Sequence, residues 1–261
     1  MIERIPIALG MYSVHKTVAK DLQGTLKALA DMGYQGIEFY GEPSDFPAEK
    51  VNAALEASGL ELVSWHIEWR NLQPETIEDA IAYFKRVGLT RVIIPCLGGQ
   101  WNVAHNREQE CEQVWHDYLP QIERIRARLA QEGIRLGYHN HEHEFELVYS
   151  GRRVFDLLFE SFAADVIMEF DTGNTIEGGG DPAQVMRAYP AHRKLLHLKP
   201  WSRETGFEVT LGDPGDANDY AQTIRAAGNS CEWLIVESED FRSDELENAK
   251  VCLEATKRIL G

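Results

Sequence analysis

Five times along this chain an amphipathic stretch ends on a glycine and runs at once into a short apolar segment: ALADMG-YQGIEFY, ALEASG-LELVSWH, YFKRVG-LTRVIIPC, RLAQEG-IRLGYHNH and IRAAGNSCEWLIVE. Gly33, Gly59, Gly88, Gly133 and Gly228 stand where a helix C-terminus takes a left-handed residue, a conformation that a Cβ penalises. The apolar segments do not alternate with polar residues. They therefore read as strands buried on both faces, the pattern of a parallel sheet joined by crossover helices. Filling in between these joints gives strands at 5–12, 36–40, 61–66, 91–96, 134–139, 166–171, 194–198 and 233–237. Helices fall near 17–32, 47–58, 74–87, 107–132, 152–162, 182–189, 216–227 and 243–260. No G-x-G-x-x-G or G-x-x-x-x-G-K follows any strand, which disfavours a doubly wound nucleotide-binding sheet. The expected fold is a single (β/α)8 TIM barrel with parallel strands.

No Pro/Ser-rich linker or composition break divides the sequence, so residues 1–261 are expected to form one domain. With 44% hydrophobic residues the chain can bury a sizeable core. Its net charge of −16 repels phosphate backbones, so nucleic acid is not an expected partner. The opening MIERIPIALG lacks a leader pattern and no apolar run is long enough for a membrane span, which points to a cytoplasmic protein without a membrane partner. Cys96, Cys111, Cys231 and Cys252 show no C-x-x-C spacing and read as buried thiols. Asp181 before Pro182, and Ser243 before an acidic turn, read as helix N-caps.

In such a barrel the chemistry sits where strands end, at the C-terminal face. Strand two ends at Glu38, strand three at His66 and Glu68, and strand five at His139, His141 and Glu144. Strand six ends at Glu169 and Asp171, strand seven at His197 and Lys199, strand eight at Glu237 and Glu239. Residues two apart on a strand share a face, so His139 with His141, Glu169 with Asp171, and His197 with Lys199 converge on the barrel mouth. Such a ring reads either as an ion-pair network that fixes loops or as a cation site. Crowded carboxylates repel and take up protons unless a cation neutralises them, and oxygen ligands with an imidazole suit a divalent ion. One divalent metal ion is therefore expected, Mn2+ first, with Mg2+, Co2+ and Zn2+ compatible with the same donors.

The segments YHNHEHEFE (138–146), VIMEFDTGNTIEGGGDP (166–182), LLHLKPW (195–201), LGDPGDANDY (211–220) and WLIVESED (233–240) follow one another over a chain of barrel length. With the opening PIALGMYSV, they resemble the xylose isomerase-like TIM-barrel superfamily of sugar isomerases, epimerases and inosose-type dehydratases. The resemblance runs across essentially the whole chain and implies an enzyme. It implies a single divalent metal held by Glu144, Asp171, His197 and Glu237, with Glu142 and Glu146 as alternatives at the strand-five position. The epimerases place that glutamate directly at the strand end, where this chain has histidines, a departure that looks more like the inosose dehydratases. Apurinic endonucleases share the barrel, but they resemble this chain only at the level of fold.

The implied reaction is proton abstraction next to a carbonyl through a metal-stabilised enediolate, with Glu237, His139 or His141 as base. Returning the proton gives isomerisation or epimerisation of a sugar or keto-sugar, the first expectation; expelling a β-hydroxyl makes the chain a lyase of inosose-dehydratase type. A sugar-binding barrel without catalysis is the reading from another class. Lys199 can polarise a substrate oxygen or pair with Glu169 or Glu239. His66 and Glu38 are candidate substrate contacts, with core packing and a salt bridge as their structural alternatives. Trp101 and Trp201, near Trp65 and Trp69, can stack on a sugar face or pack loops. The loop 96–110 reads as a candidate lid, and the glycines 178–180 as a turn. The expected partner is a neutral sugar or cyclitol, and pairing into a homo-oligomer is compatible with the sequence.

Overall fold

A computed structural model describes residues 5–261. The first four residues, which belong to the stretch read for a leader, lie outside the described residues. Eight parallel strands close into a barrel: β1 (Ile7–Gly10), β2 (Gly36–Tyr40), β3 (Glu61–His66), β4 (Arg91–Ile94), β5 (Arg135–His139), β6 (Ile167–Asp171), β7 (Arg193–Leu198) and β8 (Trp233–Val236). Each pairs with its neighbours in sequence, and β1 closes the ring on β8 through Ile7 opposite Leu234. The helices that follow them are α1 (Leu22–Met32), α2 (Ala48–Ser58), α3 (Ile77–Val87), α4 (Glu112–Ala130), α5 (Val154–Ser161), α6 (Pro182–Ala188), α7 (Tyr220–Ala227) and α8 (Glu245–Leu260). All five joint glycines have positive φ, from 59° at Gly228 to 105° at Gly33. Among the described residues no helix is long and apolar enough to cross a membrane.

The main core lies between the strands and the helices and includes Leu26, Leu29, Phe84, Trp115 and Leu129. A second apolar layer fills the barrel itself: Ala8, Val63, Ile93, Ile167, Leu195, Trp233 and Ile235. Trp233 fits because Gly36 faces it, where an added Cβ would come within 2.6 Å of Val63 and 2.9 Å of the indole. Arg91 and Arg135, at the starts of β4 and β5, meet Glu232 just before β8 at 3.0 and 2.8 Å. They form the floor. Two residues further along each strand than the apolar layer, the inward positions become Glu169, His197 and Glu237.

Several local expectations change. The helix expected at 17–32 is two pieces, His15–Val18 and α1, because the Asp21 side chain caps α1 by accepting from the Gly24 N–H at 2.9 Å. The α8 cap is Asp244 rather than Ser243, accepting from the Leu246 and Glu247 N–H groups. Asp181 caps α6 as expected, at 3.0 Å from Gln184 N. Cys111 is exposed, unlike the other three cysteines, because it precedes α4 at the surface. Two short helices, His143–Glu146 and Thr172–Glu177, and a hairpin of Val148–Tyr149 with Arg152–Arg153 lie between the main elements.

Candidate active site

Asp171 ends β6 and also caps the short helix that follows. One carboxylate oxygen accepts from the Asn174 N–H at 2.8 Å, while Oδ2 is buried without a hydrogen-bond partner. The backbone beneath it is pinned by Asn140, whose side-chain oxygen accepts from the Asp171 N–H at 2.9 Å, and by the Thr175 hydroxyl, which donates to the Asp171 carbonyl at 2.6 Å. This rigid turn aims one free carboxylate oxygen toward His197.

The His197 ring stands between two sets of carboxylates. Nδ1 lies 3.0 Å from Glu237 Oε2 and 3.9 Å from Asp171 Oδ2; Nε2 lies 2.9 Å from Glu38 Oε1 and 3.5 Å from Glu169 Oε2. Glu169 also touches His66 closely and His139 Nδ1 at 3.2 Å, while its Oε1 has no partner. Ligand-type atoms of His66, His139, Glu169 and His197 all lie within 4.8 Å of one another, as do those of Glu38, His197 and Glu237. Lys199 completes the wall, with Nζ 3.1 Å from Glu237, 2.7 Å from Glu239 and 4.4 Å above the Phe207 ring.

The buried charge is unbalanced in sign. Burial, reinforced by the charge of Glu38, pushes the Glu169 carboxyl up to about 8. Burial likewise pushes Asp171 up to about 7, against the pull of Lys199. Glu237 goes the other way: Lys199 and His197 overcome its burial and hold it well below the carboxylate range. Burial, with the neighbouring positive groups, takes His139 and His141 well below the ordinary imidazole value, so both are neutral at pH 7. Buried His141 Nδ1 has no hydrogen-bond partner.

A cleft of about 580 Å³ opens over this cluster, lined by Tyr12, Tyr40, His66, Trp101, His139, His141, Lys199, Glu237 and Glu239 among others. The structure thus brings together His66, His139, His141, Lys199, Glu237 and Trp101, with Asp171, His197 and Glu38 buried beneath. It does not bring in Glu144. The chain leaves β5 at His139 and turns helical at His143, so Glu144 faces the Tyr138 hydroxyl, which donates to it at 2.5 Å, and the His141 N–H at 2.8 Å. Glu142 and Glu146 lie on the same turn and line a separate surface cavity. Trp201 is also outside the cleft: its N–H meets Asp216 across the loop after β7, and its indole Nε1 is buried without a hydrogen-bond partner. Trp65 stacks on Phe39 in the core and Trp69 is buried.

Three residues carry more of the site than the sequence suggested. Glu169 lies within the cluster, a position signalled by its two-residue spacing from Asp171. Tyr12 and Tyr40 form a wall of the cleft; Tyr12 stands in the 3-10 turn Met11–Val14, where the strand expected over 5–12 ends early, at Gly10. The loop expected as a lid is an anchored hook. His105 bridges Glu110 and the Tyr118 hydroxyl, each at 2.8 Å, and Glu110 accepts from the Trp115 indole at 2.6 Å and the Tyr149 hydroxyl at 2.9 Å. Trp101 projects from its tip.

Residues 26–259 match the family model described as the xylose isomerase-like TIM barrel. An inosose dehydratase from Bacillus anthracis is 24% identical over 245 residues, covering 82% of this chain and 81% of its own. Among solved structures, a sugar phosphate isomerase/epimerase from Parabacteroides distasonis superposes with a TM-score of 0.77 at 22% identity, over 97% of this chain and 93% of that one. A D-allulose 3-epimerase from Methylomonas sp., in complex with D-allulose, superposes with a TM-score of 0.72 at 13% identity, over 98% and 97% of the two chains. A closed ring of eight parallel strands, a polar C-terminal mouth and a family match over nearly the whole chain agree: this protein belongs to the xylose isomerase-like TIM-barrel family.

Proposed function

We propose that this barrel removes the proton next to the carbonyl of a neutral keto-sugar or cyclitol ketone and expels the β-oxygen, the chemistry of a lyase. The observation that carries this reading is the end of β5. Two neutral imidazoles, His139 and His141, face the cleft there, and Glu144 of the same segment is turned into the protein. The similarity to an inosose dehydratase supports the same choice.

The residues fit a divalent cation. Glu169 Oε1 and Asp171 Oδ2 are buried without partners, and carboxylates with imidazoles form a donor set of the right chemistry. Asp171, His197 and Glu237 would hold it, with Glu169 and His139 adjacent; Glu144 is replaced in that role. A cation bound there supplies charge neutralisation and polarises the substrate carbonyl, with Mn2+ the first choice.

His141 then acts as the base. Its imidazole nitrogen takes the proton from the carbon, and the electron pair passes toward the carbonyl oxygen as an enediolate beside the Lys199 ammonium. As the pair returns to form the carbon–carbon double bond, the β carbon–oxygen bond breaks and His141 gives its proton to the departing hydroxyl, releasing water. One base on one face suffices for this sequence. Glu237 favours a second reading. It directly follows β8, three strands from β5 in a ring of eight, so it reaches the cleft from the far side and can reprotonate the opposite face, giving epimerisation.

The test is incubation of the Mn2+-supplemented protein with a panel of inososes and ketohexoses in D2O. The lyase reading predicts an ultraviolet-absorbing enone or dione, a product lighter by one water, and loss of both in His141→Ala. A mass-conserving product with deuterium at the epimerised carbon selects the second reading. Neither product nor deuterium uptake contradicts both.

A further inference from the structure

Apart from Tyr12 and Trp101, at 41% and 49% exposure, the Trp, Tyr and Phe residues of the described chain are buried or only partly exposed. Both line the catalytic cleft. Exposing two large aromatic faces costs burial that the rest of the fold obtains, and placing both at one opening points to a ligand that covers them. They reach the cleft from opposite sides. Tyr12 follows β1 and Trp101 follows β4, three strands apart in the closed ring of eight.

Each ring is braced from behind. Tyr12 stacks on His15 at 5.3 Å and meets the edges of Tyr40 at 5.3 Å and Phe241 at 6.0 Å. Trp101 packs against His141 at 4.4 Å, and its hook closes through the Gly98 N–H donating to the Val103 carbonyl at 2.6 Å. Gly99 has φ of +67°, and a Cβ there would lie 2.7 Å from the His143 ring, so the hook is seated on the turn that carries His141. The polar side chains, His139, His141, Lys199 and Glu237, stand at the strand ends below. The cleft has a polar floor for a reacting ring and an aromatic collar above it. Its volume of about 580 Å³ lies within the range of drug-sized ligand pockets.

We infer that Tyr12 and Trp101 form a second-ring subsite, and that the substrate carries a further sugar or aromatic ring beyond the one that reacts. This rests on the proposed reaction for the position of the reacting ring. Pre-organised aromatic faces bind such a ring by stacking on its C–H or π face without ordering a loop. In the lyase reaction the leaving oxygen would then bear that ring, and its departure as an alcohol after protonation by His141 balances in the same way as the loss of water.

The experiment is isothermal titration of the Mn2+-supplemented protein with D-glucose, cellobiose and phenyl β-D-glucopyranoside, none of which carries the ketone needed for turnover. The expected result is a two-ring ligand binding about tenfold tighter than glucose, with the ratio falling to about one in Trp101→Ala and in Tyr12→Ala. An advantage of cellobiose alone identifies a saccharide as the second ring, and of the phenyl glucoside alone an aromatic group. Gln100→Ala, a neighbour in the same cleft, controls for general loosening and should keep the ratio. Equal or undetectable binding of all three ligands, or an advantage that survives both aromatic substitutions in folded protein, overturns the subsite. Deuterium exchange next to a ketone reports separately on the reaction, so a failed exchange with an intact binding ratio rejects the chemistry and leaves the subsite standing.

Discussion

The two ends of the barrel use charged residues in opposite ways. At the floor Glu232 meets Arg91 and Arg135 within 3.0 Å, partly open to solvent, and the apolar layer around Trp233 lies directly above. At the mouth Glu38, Glu169, Asp171, Glu237 and Glu239 gather around one lysine and four histidines, nearly all buried, with two carboxylate oxygens unpartnered. Burial opposes ionisation at both ends, but only at the floor do arginines supply a fixed countercharge that holds Glu232 below the ordinary carboxylate value. On the proposed function, the floor serves stability and the mouth serves a cation and a polar substrate.

The largest break in that comparison should come from His197→Ala. It removes the ring between both carboxylate sets, and activity on the proposed ketone should fall by about 10⁴-fold, near 5 kcal/mol of transition-state stabilisation, with little change in circular dichroism. Trp233→Ala is the converse. It opens a cavity in the apolar layer and should cost about 3–5 kcal/mol in denaturant unfolding, while the folded fraction keeps its activity.

Two single-charge changes should move stability in opposite directions. Glu232→Gln at the floor should cost about 1 kcal/mol, a small figure because the carboxylate is partly solvated. Its folded value is lowered, so the contribution is complete above the ordinary value and disappears as the pH falls through the folded one. The gap between wild type and Glu232→Gln should therefore close between roughly pH 5 and pH 3, read by urea midpoints. Glu169→Gln at the mouth should raise the melting temperature of chelator-treated protein at pH 7 by about 2–4 °C, since it removes a carboxyl that burial forces to take up a proton. A fall instead would mean that the mouth is a stabilising ion-pair network.

Much of this was legible in the chain because two periodicities were uninterrupted. The helix–glycine–strand joints gave the ring, and the two-residue spacing on β6 and β7 brought Glu169, Asp171, His197 and Lys199 to one end. Glu144 was expected among the ligands by resemblance alone; the chain turns helical after His139, and there the Tyr138 hydroxyl and the His141 N–H take up its oxygens. Trp201 and Tyr12 exchanged importance for a similar reason: both lie in irregular backbone just beyond a strand, and only tertiary packing decides that Trp201 is covered while Tyr12 faces the cleft. The anchoring of the loop 96–110 depends on Glu110, Tyr118 and Tyr149, three partners that no local pattern connects.

The central claim is that the mouth is a cation site, and thermal unfolding of chelator-treated protein against added Mn2+ tests it most directly. The account predicts a melting temperature that climbs with Mn2+, by about 5–10 °C at a hundred times the dissociation constant, and a flat response in His197→Ala. A wild-type melting temperature indifferent to Mn2+, Mg2+, Co2+ and Zn2+ would contradict it.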